Sequence, residues 1–103
     1  MSFTRRRFKP FGVRFADCLK GAAFSGHMTV ARLLGILDAT RSGITEVLVH
    51  PGLPDENLRT RYRHWDGFNW ASDLQAVTDP LVIARCFKGD ITLTNFARLV
   101  KSR

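Results

Sequence analysis

Residues 43–52 read Gly-Ile-Thr-Glu-Val-Leu-Val-His-Pro-Gly, and this run constrains the fold more than any other. Isoleucine, valine and leucine dominate it, and glycine and Pro-Gly punctuate its ends, which is the pattern of a strand. A period of two puts Ile44, Glu46, Leu48 and His50 on one face and Thr45, Val47 and Val49 on the other. Apolar side chains on both faces suit a parallel sheet covered on both sides. Pro51 biases His50 to an extended backbone, which holds the imidazole at the strand end. Gly52 lets the chain turn sharply away. In α/β sheets and barrels the carboxyl ends of the strands carry the chemistry, so His50 is the first candidate for a functional side chain.

The flanking pattern supplies that strand with neighbours. Residues 1–10 have no periodicity and contain Arg5, Arg6, Arg7 and Lys9, so they read as a basic tail, with residues 11–103 as one domain. A mixed run at 12–16 predicts a short strand with Asp17 near its carboxyl end. Thr29 is a suitable N-cap, and Val30, Leu33, Leu34 and Leu37 form one apolar stripe, which predicts a helix over 29–40 leading into the strand at 44–49. Residues 53–57 read as a polar loop, 58–65 are ambiguous, and Asp66-Gly67 is a break. A helix is expected over 69–77, and a second from Asp79-Pro80 to Gly89. A short strand at 91–94 precedes a last helix capped by Asn95, with Phe96, Leu99 and Val100 inward and a basic end at 101–103. This alternation predicts an α/β fold of right-handed βαβ units with parallel pairing.

Composition removes several function classes. No apolar run approaches the ~20 residues of a membrane span, and the N-terminal arginines have no apolar stretch behind them, unlike a secretory signal. Cys18 and Cys86 are far apart and form no CxxC pair, which suits buried thiols in a cytoplasmic chain. The net charge of +7 raises a nucleic-acid reading, supported by Arg59, Arg61 and Arg63. No RNP, zinc-finger or helix-turn-helix pattern accompanies it, so a solvated basic tail is favoured over a nucleic-acid partner.

The residues Glu46 to Gly52, with Asp55-Glu56 after them, resemble the late strand motif of the YdjC-like (ChbG/HpnK) deacetylases. Gly12-Val13-Arg14, Asp17, Gly21 and Ser25-Gly26-His27-Met28-Thr29 resemble the hopanoid-biosynthesis-associated HpnK branch. Asp73-Leu74-Gln75-Ala76-Val77-Thr78-Asp79-Pro80 resembles the family's acidic-Leu-x-Ala-Leu-Thr-x-Pro helix. The resemblance runs from about residue 11 to residue 100 and covers the C-terminal part of the family. It implies a TIM-like barrel, of which about three βα units would be present; a closed barrel takes about 250 residues. The chain is therefore expected to be a fragment of a barrel that self-associates, pairs with an N-terminal half, or persists as a non-catalytic remnant.

The resemblance also implies a chemistry: hydrolysis of N-acetyl groups on a carbohydrate or hopanoid-linked glycolipid, with a divalent metal (Mg or Zn) that polarises the acetyl carbonyl. The family's metal-ligand motifs are missing here. His27, His50 and His64 form no H-x-H or H-x-x-x-H pair, so this chain alone is expected to hold no metal and to be inactive. His50 matches the His-Pro-Gly motif, which implies a general acid or substrate contact; a structural strand-end histidine is the alternative. An ordinary imidazole titrates near pH ~6.5, which suits a proton donor to an amine. Asp17, Glu46 and Gly52 are the candidate substrate-binding residues. For Asp17 a loop cap is the competing role, and for Glu46 a solvent-facing register. Trp65, Phe68 and Trp70 could stack on a sugar ring, with core packing the favoured reading.

Overall fold

The computed structural model describes residues 15–64 and 67–101. The basic tail, the first part of the strand expected at 12–16, Trp65 and Asp66, and Ser102 and Arg103 lie outside the described residues, as do the Val100 and Lys101 side chains. Strand β1 is Cys18–Lys20, a 3-10 turn follows at Ala22–Phe24, α1 is Val30–Asp38 and β2 is Thr45–Val47. After these come α2 (Glu56–Arg61), α3 (Trp70–Thr78), α4 (Pro80–Cys86) and α5 (Phe96–Lys101). Among the described residues the sheet has two strands, parallel, with Cys18 opposite Thr45, Leu19 opposite Glu46 and Lys20 opposite Val47. β1, α1 and β2 thus form one βαβ unit.

Each helix start has a chemical cause. Thr29 Oγ1 accepts from the Arg32 amide at 3.1 Å, and Asp55 Oδ1 from the Leu58 amide at 2.8 Å. Asn69 Oδ1 accepts from the Ser72 amide, Asp79 Oδ1 from the Leu81 amide and Asn95 Oδ1 from the Arg98 amide. These caps satisfy amides that the first turn leaves without a partner. Pro80, at the start of α4, has a ring already set to the helical φ. The expected stripe on α1 is realised: Leu33 and Leu37 are buried, with Val30 and Leu34 packed beside them. Helices α1, α3 and α4 pack on one another around a core of Met28, Leu33, Leu37, Ala76 and Val82. Arg85 closes this layer from outside. Its Nε donates to Asp38 Oδ1 at 2.6 Å, and its two terminal nitrogens fork onto the Asp90 carboxylate at 2.8 and 3.1 Å.

Three expectations are corrected. β1 begins after Asp17, so Asp17 lies at the amino end of the strands, where its Oδ2 accepts from the Ile44 amide at 2.7 Å. That bond joins the leading ends of the two strands and explains the later start. Residues 91–94 form no strand, despite their alternating Ile-Thr-Leu-Thr pattern. They line a groove of about 350 Å³ across from Ile44–Val47 and do not pair with that edge. Strand propensity without a ladder partner leaves an extended loop. Phe96 does not face inward and is half exposed. Among the described residues, the expected three βα units therefore reduce to one βαβ unit followed by four helices.

Two predictions follow from the packing. A Cβ at Gly21, where φ is +91°, would stand 2.5 Å from the Leu48 carbonyl oxygen. Gly21→Ala is expected to cost more than about 1 kcal/mol, read as a lower urea midpoint at unchanged slope. The Arg85 fork holds the Asp90 carboxyl below the usual carboxylate range. The folded form therefore binds fewer protons there than the unfolded chain. Its stabilisation is present above the ordinary carboxylate pKa and is lost as pH falls through the lowered one. The stability gap between the parent and Asp90→Asn should close on acidification in a urea series run from pH 7 down to pH ~3.

Candidate functional site

His50 sits just beyond β2, where the chain stays extended into Pro51. Its position is fixed by a carboxylate 23 residues away in sequence: Asp73 Oδ2 accepts from the His50 amide at 2.8 Å. The other oxygen, Oδ1, accepts from the Met28 amide at 2.9 Å. Asp73 is fully buried, and its two amide partners belong to two different loops. It lies in the first turn of α3, where the helix dipole favours an anion.

The same turn of α3 is stitched further to both loops. Ser72 Oγ donates to the Met28 carbonyl at 2.6 Å, and the Asn69 amide donates to the Gly26 carbonyl at 2.7 Å. The Gly52 amide donates to the Trp70 carbonyl at 3.2 Å. Phe68 lies so close to Gly26 that a Cβ there would stand 2.5 Å from its ring, and Gly26 has φ +75°. Only glycine admits both the backbone angle and the approach. Phe68 in turn meets the His50 imidazole edge-on, with centroids 5.5 Å apart and an angle of 84°. Asp73 thus holds the His50 main chain, and Phe68 packs against its imidazole.

The imidazole Nδ1 is buried and, among the described residues, meets no hydrogen-bond partner. A buried polar atom without a partner costs about 1–3 kcal/mol, and native chains keep few of them outside functional sites. His27 lies on the neighbouring loop. Its amide donates to the Phe24 carbonyl, and its own carbonyl accepts from Arg32 Nη1 at 2.6 Å.

Of the residues named from sequence, His50 and Gly52 come together at one end of β2, with Gly52 packed against Trp70 and Leu58. Asp17 and Glu46 do not join them. Asp17 lies at the opposite end of the strand pair, about 20 Å away at the strand rise of ~3.3 Å per residue. Glu46 is exposed in the middle of β2, opposite Leu19, and lines the groove beside residues 91–94. Its solvent-facing register is the one realised. Asp73 carried no role in the sequence reading. The available signal was an acid on the same helix face as Trp70, Leu74 and Val77, where burial is expected and charge is not.

A profile of the YdjC-like protein family matches residues 1–86. The chain belongs to the YdjC-like family. This is a family of carbohydrate deacetylases with a TIM-like barrel and a metal-dependent reaction. The matched region takes in the basic first residues and ends at Cys86, short of α5, so its limits differ from those of the motif resemblance. No curated protein and no solved structure matches the chain. Among the described residues, no group of three or more His, Cys, Asp or Glu side chains converges to hold a metal ion. Both oxygens of Asp73 are committed to amides, so the acid nearest His50 is not a free ligand. The described residues do not fit the family's metal. No helix among them is long and apolar enough to cross a membrane.

Asp73→Ala would leave two amides unpaired, one at Met28 and one at His50. It is expected to destabilise the chain by about 3 kcal/mol or more, measured by urea unfolding. Amide hydrogen exchange should accelerate at both positions together, because a single carboxylate protects both.

Proposed function

We propose that the chain is the C-terminal segment of a metal-dependent deacetylase that removes acetyl groups from the amino group of a carbohydrate or hopanoid-linked glycolipid, as in the HpnK branch. The observation that carries this reading is the braced His50 at the end of β2, with its buried, unpartnered Nδ1. In this reading His50 is the general acid. Amide hydrolysis releases an amine that is a poor leaving group unless protonated as the C–N bond breaks, and an imidazolium N–H supplies that proton. Gly52 has no positive φ, so the sharp turn expected from sequence is not realised; its role is to let Trp70 and Leu58 approach closely beside His50. Asp17 and Glu46, lying away from this end, act on fold and edge rather than on substrate. The metal-holding residues and the general base come from another part of a complete barrel, so the chain alone turns over no substrate. The free, half-buried Cys18 and Cys86 suit the reducing cytoplasm.

The test joins this chain, in trans or by fusion, to the N-terminal half of a YdjC-like barrel and follows acetate release from N-acetylated oligosaccharides with metal present. His50→Ala in the joined protein is expected to lower the rate by about 10²–10⁴-fold. A rate unchanged by that substitution would remove His50 from the mechanism, and no acetate from the joined protein would remove the deacetylase reading.

A further inference from the structure

A general acid must hold one imidazole nitrogen on the leaving amine. Asp73 anchors the His50 main chain, but it hydrogen-bonds neither ring nitrogen. In many working histidines a hydrogen bond to the second nitrogen fixes the ring. Here Nδ1 is buried and, among the described residues, has no such partner, which leaves Nε2 as the nitrogen able to reach a substrate. Packing must therefore set the orientation that a hydrogen bond does not.

Phe68 supplies that packing. Its ring meets the imidazole at 5.5 Å and 84°, an edge-to-face geometry that aromatic pairs favour. Phe68 is itself held from other sides. Trp70 lies 5.1 Å away between centroids, and the Gly26 backbone is pressed against the phenyl ring. The next residue, Asn69, donates its amide to the Gly26 carbonyl at 2.7 Å. Trp70 is seated on Gly52, where an added Cβ would stand 3.2 Å from the Trp70 Cβ, and its carbonyl accepts from the Gly52 amide. Phe68 is thus fixed against the two loops that Asp73 also joins, so its ring keeps a set position relative to the His50 main chain. It is half-buried and is not among the side chains packed on the core cluster, so filling the core does not explain it.

We propose that Phe68 is a positioning residue for the general acid, its ring edge-on to His50 doing the orienting that a hydrogen bond to Nδ1 would otherwise do. This rests on the general-acid reading above and deepens it. With Phe68 shortened, the imidazole still sits on an anchored main chain but turns about its side-chain bonds, and Nε2 spends less time on the line to the leaving nitrogen. Substrate binding, which does not depend on that line, stays as it was.

The chain alone reports the ring. With isotope-labelled histidine, magnetisation transfer between the His50 ring protons and the Phe68 ring protons is expected in the parent. Phe68→Leu is expected to shift both carbon-bound imidazole protons of His50, while amide exchange protection at Met28 and His50 stays, because Asp73 still holds them. In the protein joined to an N-terminal half, Phe68→Leu is expected to lower kcat about tenfold with KM changed by less than about twofold. Phe68→Tyr keeps the ring and is expected to retain most of the rate. Phe68→Met repeats the measurement with another apolar shape, so a folding failure of one variant does not hide the answer. In a His50→Ala background Phe68→Leu is expected to cost nothing further, whereas a packing role would slow both backgrounds alike. Unmoved His50 ring protons, an unchanged kcat, or an equal loss in the His50→Ala background would overturn the positioning role and leave the deacetylase reading standing. No acetate from the joined parent would remove the deacetylase reading instead, and the ring protons of the chain alone would still decide whether Phe68 orients His50.

Discussion

The carboxylate of Asp73 is the interaction on which the rest of this structure depends. A fully buried carboxyl group is expensive unless it is hydrogen-bonded, and here each oxygen accepts from a main-chain amide. The two amides belong to Met28 and His50, so one side chain joins three segments that share no local sequence. Ser72, Asn69 and Gly52 add bonds around the same point. Loss of the carboxylate would release the loop before α1 and the loop after β2 together. The core residue Met28 and the candidate acid His50 are thus held by the same group, which couples stability to the geometry of the site.

The architecture around this point is open. Among the described residues, five hydrophobic side chains are buried, while Leu81, Phe87 and Leu19 are each more than half exposed. A two-stranded parallel sheet with uncovered apolar surface is not a finished α/β layer, since parallel sheets need cover on both faces. Membership of a barrel-forming family gives this surface a context, because a TIM-like barrel places further strands at each edge. The groove between β2 and residues 91–94 lies along one of those edges. Beyond the carboxyl end of β2, by contrast, the amide bonds to Asp73 and the Phe68 contact are internal to this chain.

Much of the fold was legible locally. The stripe on α1, the caps at Thr29, Asn69, Asp79 and Asn95, and the proline at the start of α4 act within four residues of themselves, and each is realised. Glu46 to Gly52 announced a strand ending on a histidine, and the His-Pro-Gly turn with its neighbours pointed to the family. The partner of each polar side chain was not legible. Asp17 reads equally well as the end of a strand or the cap of a loop; its bond to Ile44 spans 27 residues. Residues 91–94 have a strand's alternation, yet alternation does not supply a neighbouring edge.

By itself, then, the sequence determined where α1, α3, α4 and α5 start, which stripe of α1 faces inward, and that a histidine stands just beyond a strand. The start of α2 within residues read as a polar loop, and a β2 that ends at Val47 with no buried residue, were not legible. The legible features follow from dihedral preferences, short-range hydrogen bonds and periodicity, which need no knowledge of distant residues. The tertiary structure alone decided that Asp73 is buried, that it holds His50 and Met28 across 23 and 45 residues, and that Asp17 lies at the far end of the strands. Those outcomes depend on which segments meet when the chain closes its loops, and a carboxylate carries no local mark of the amides it will find.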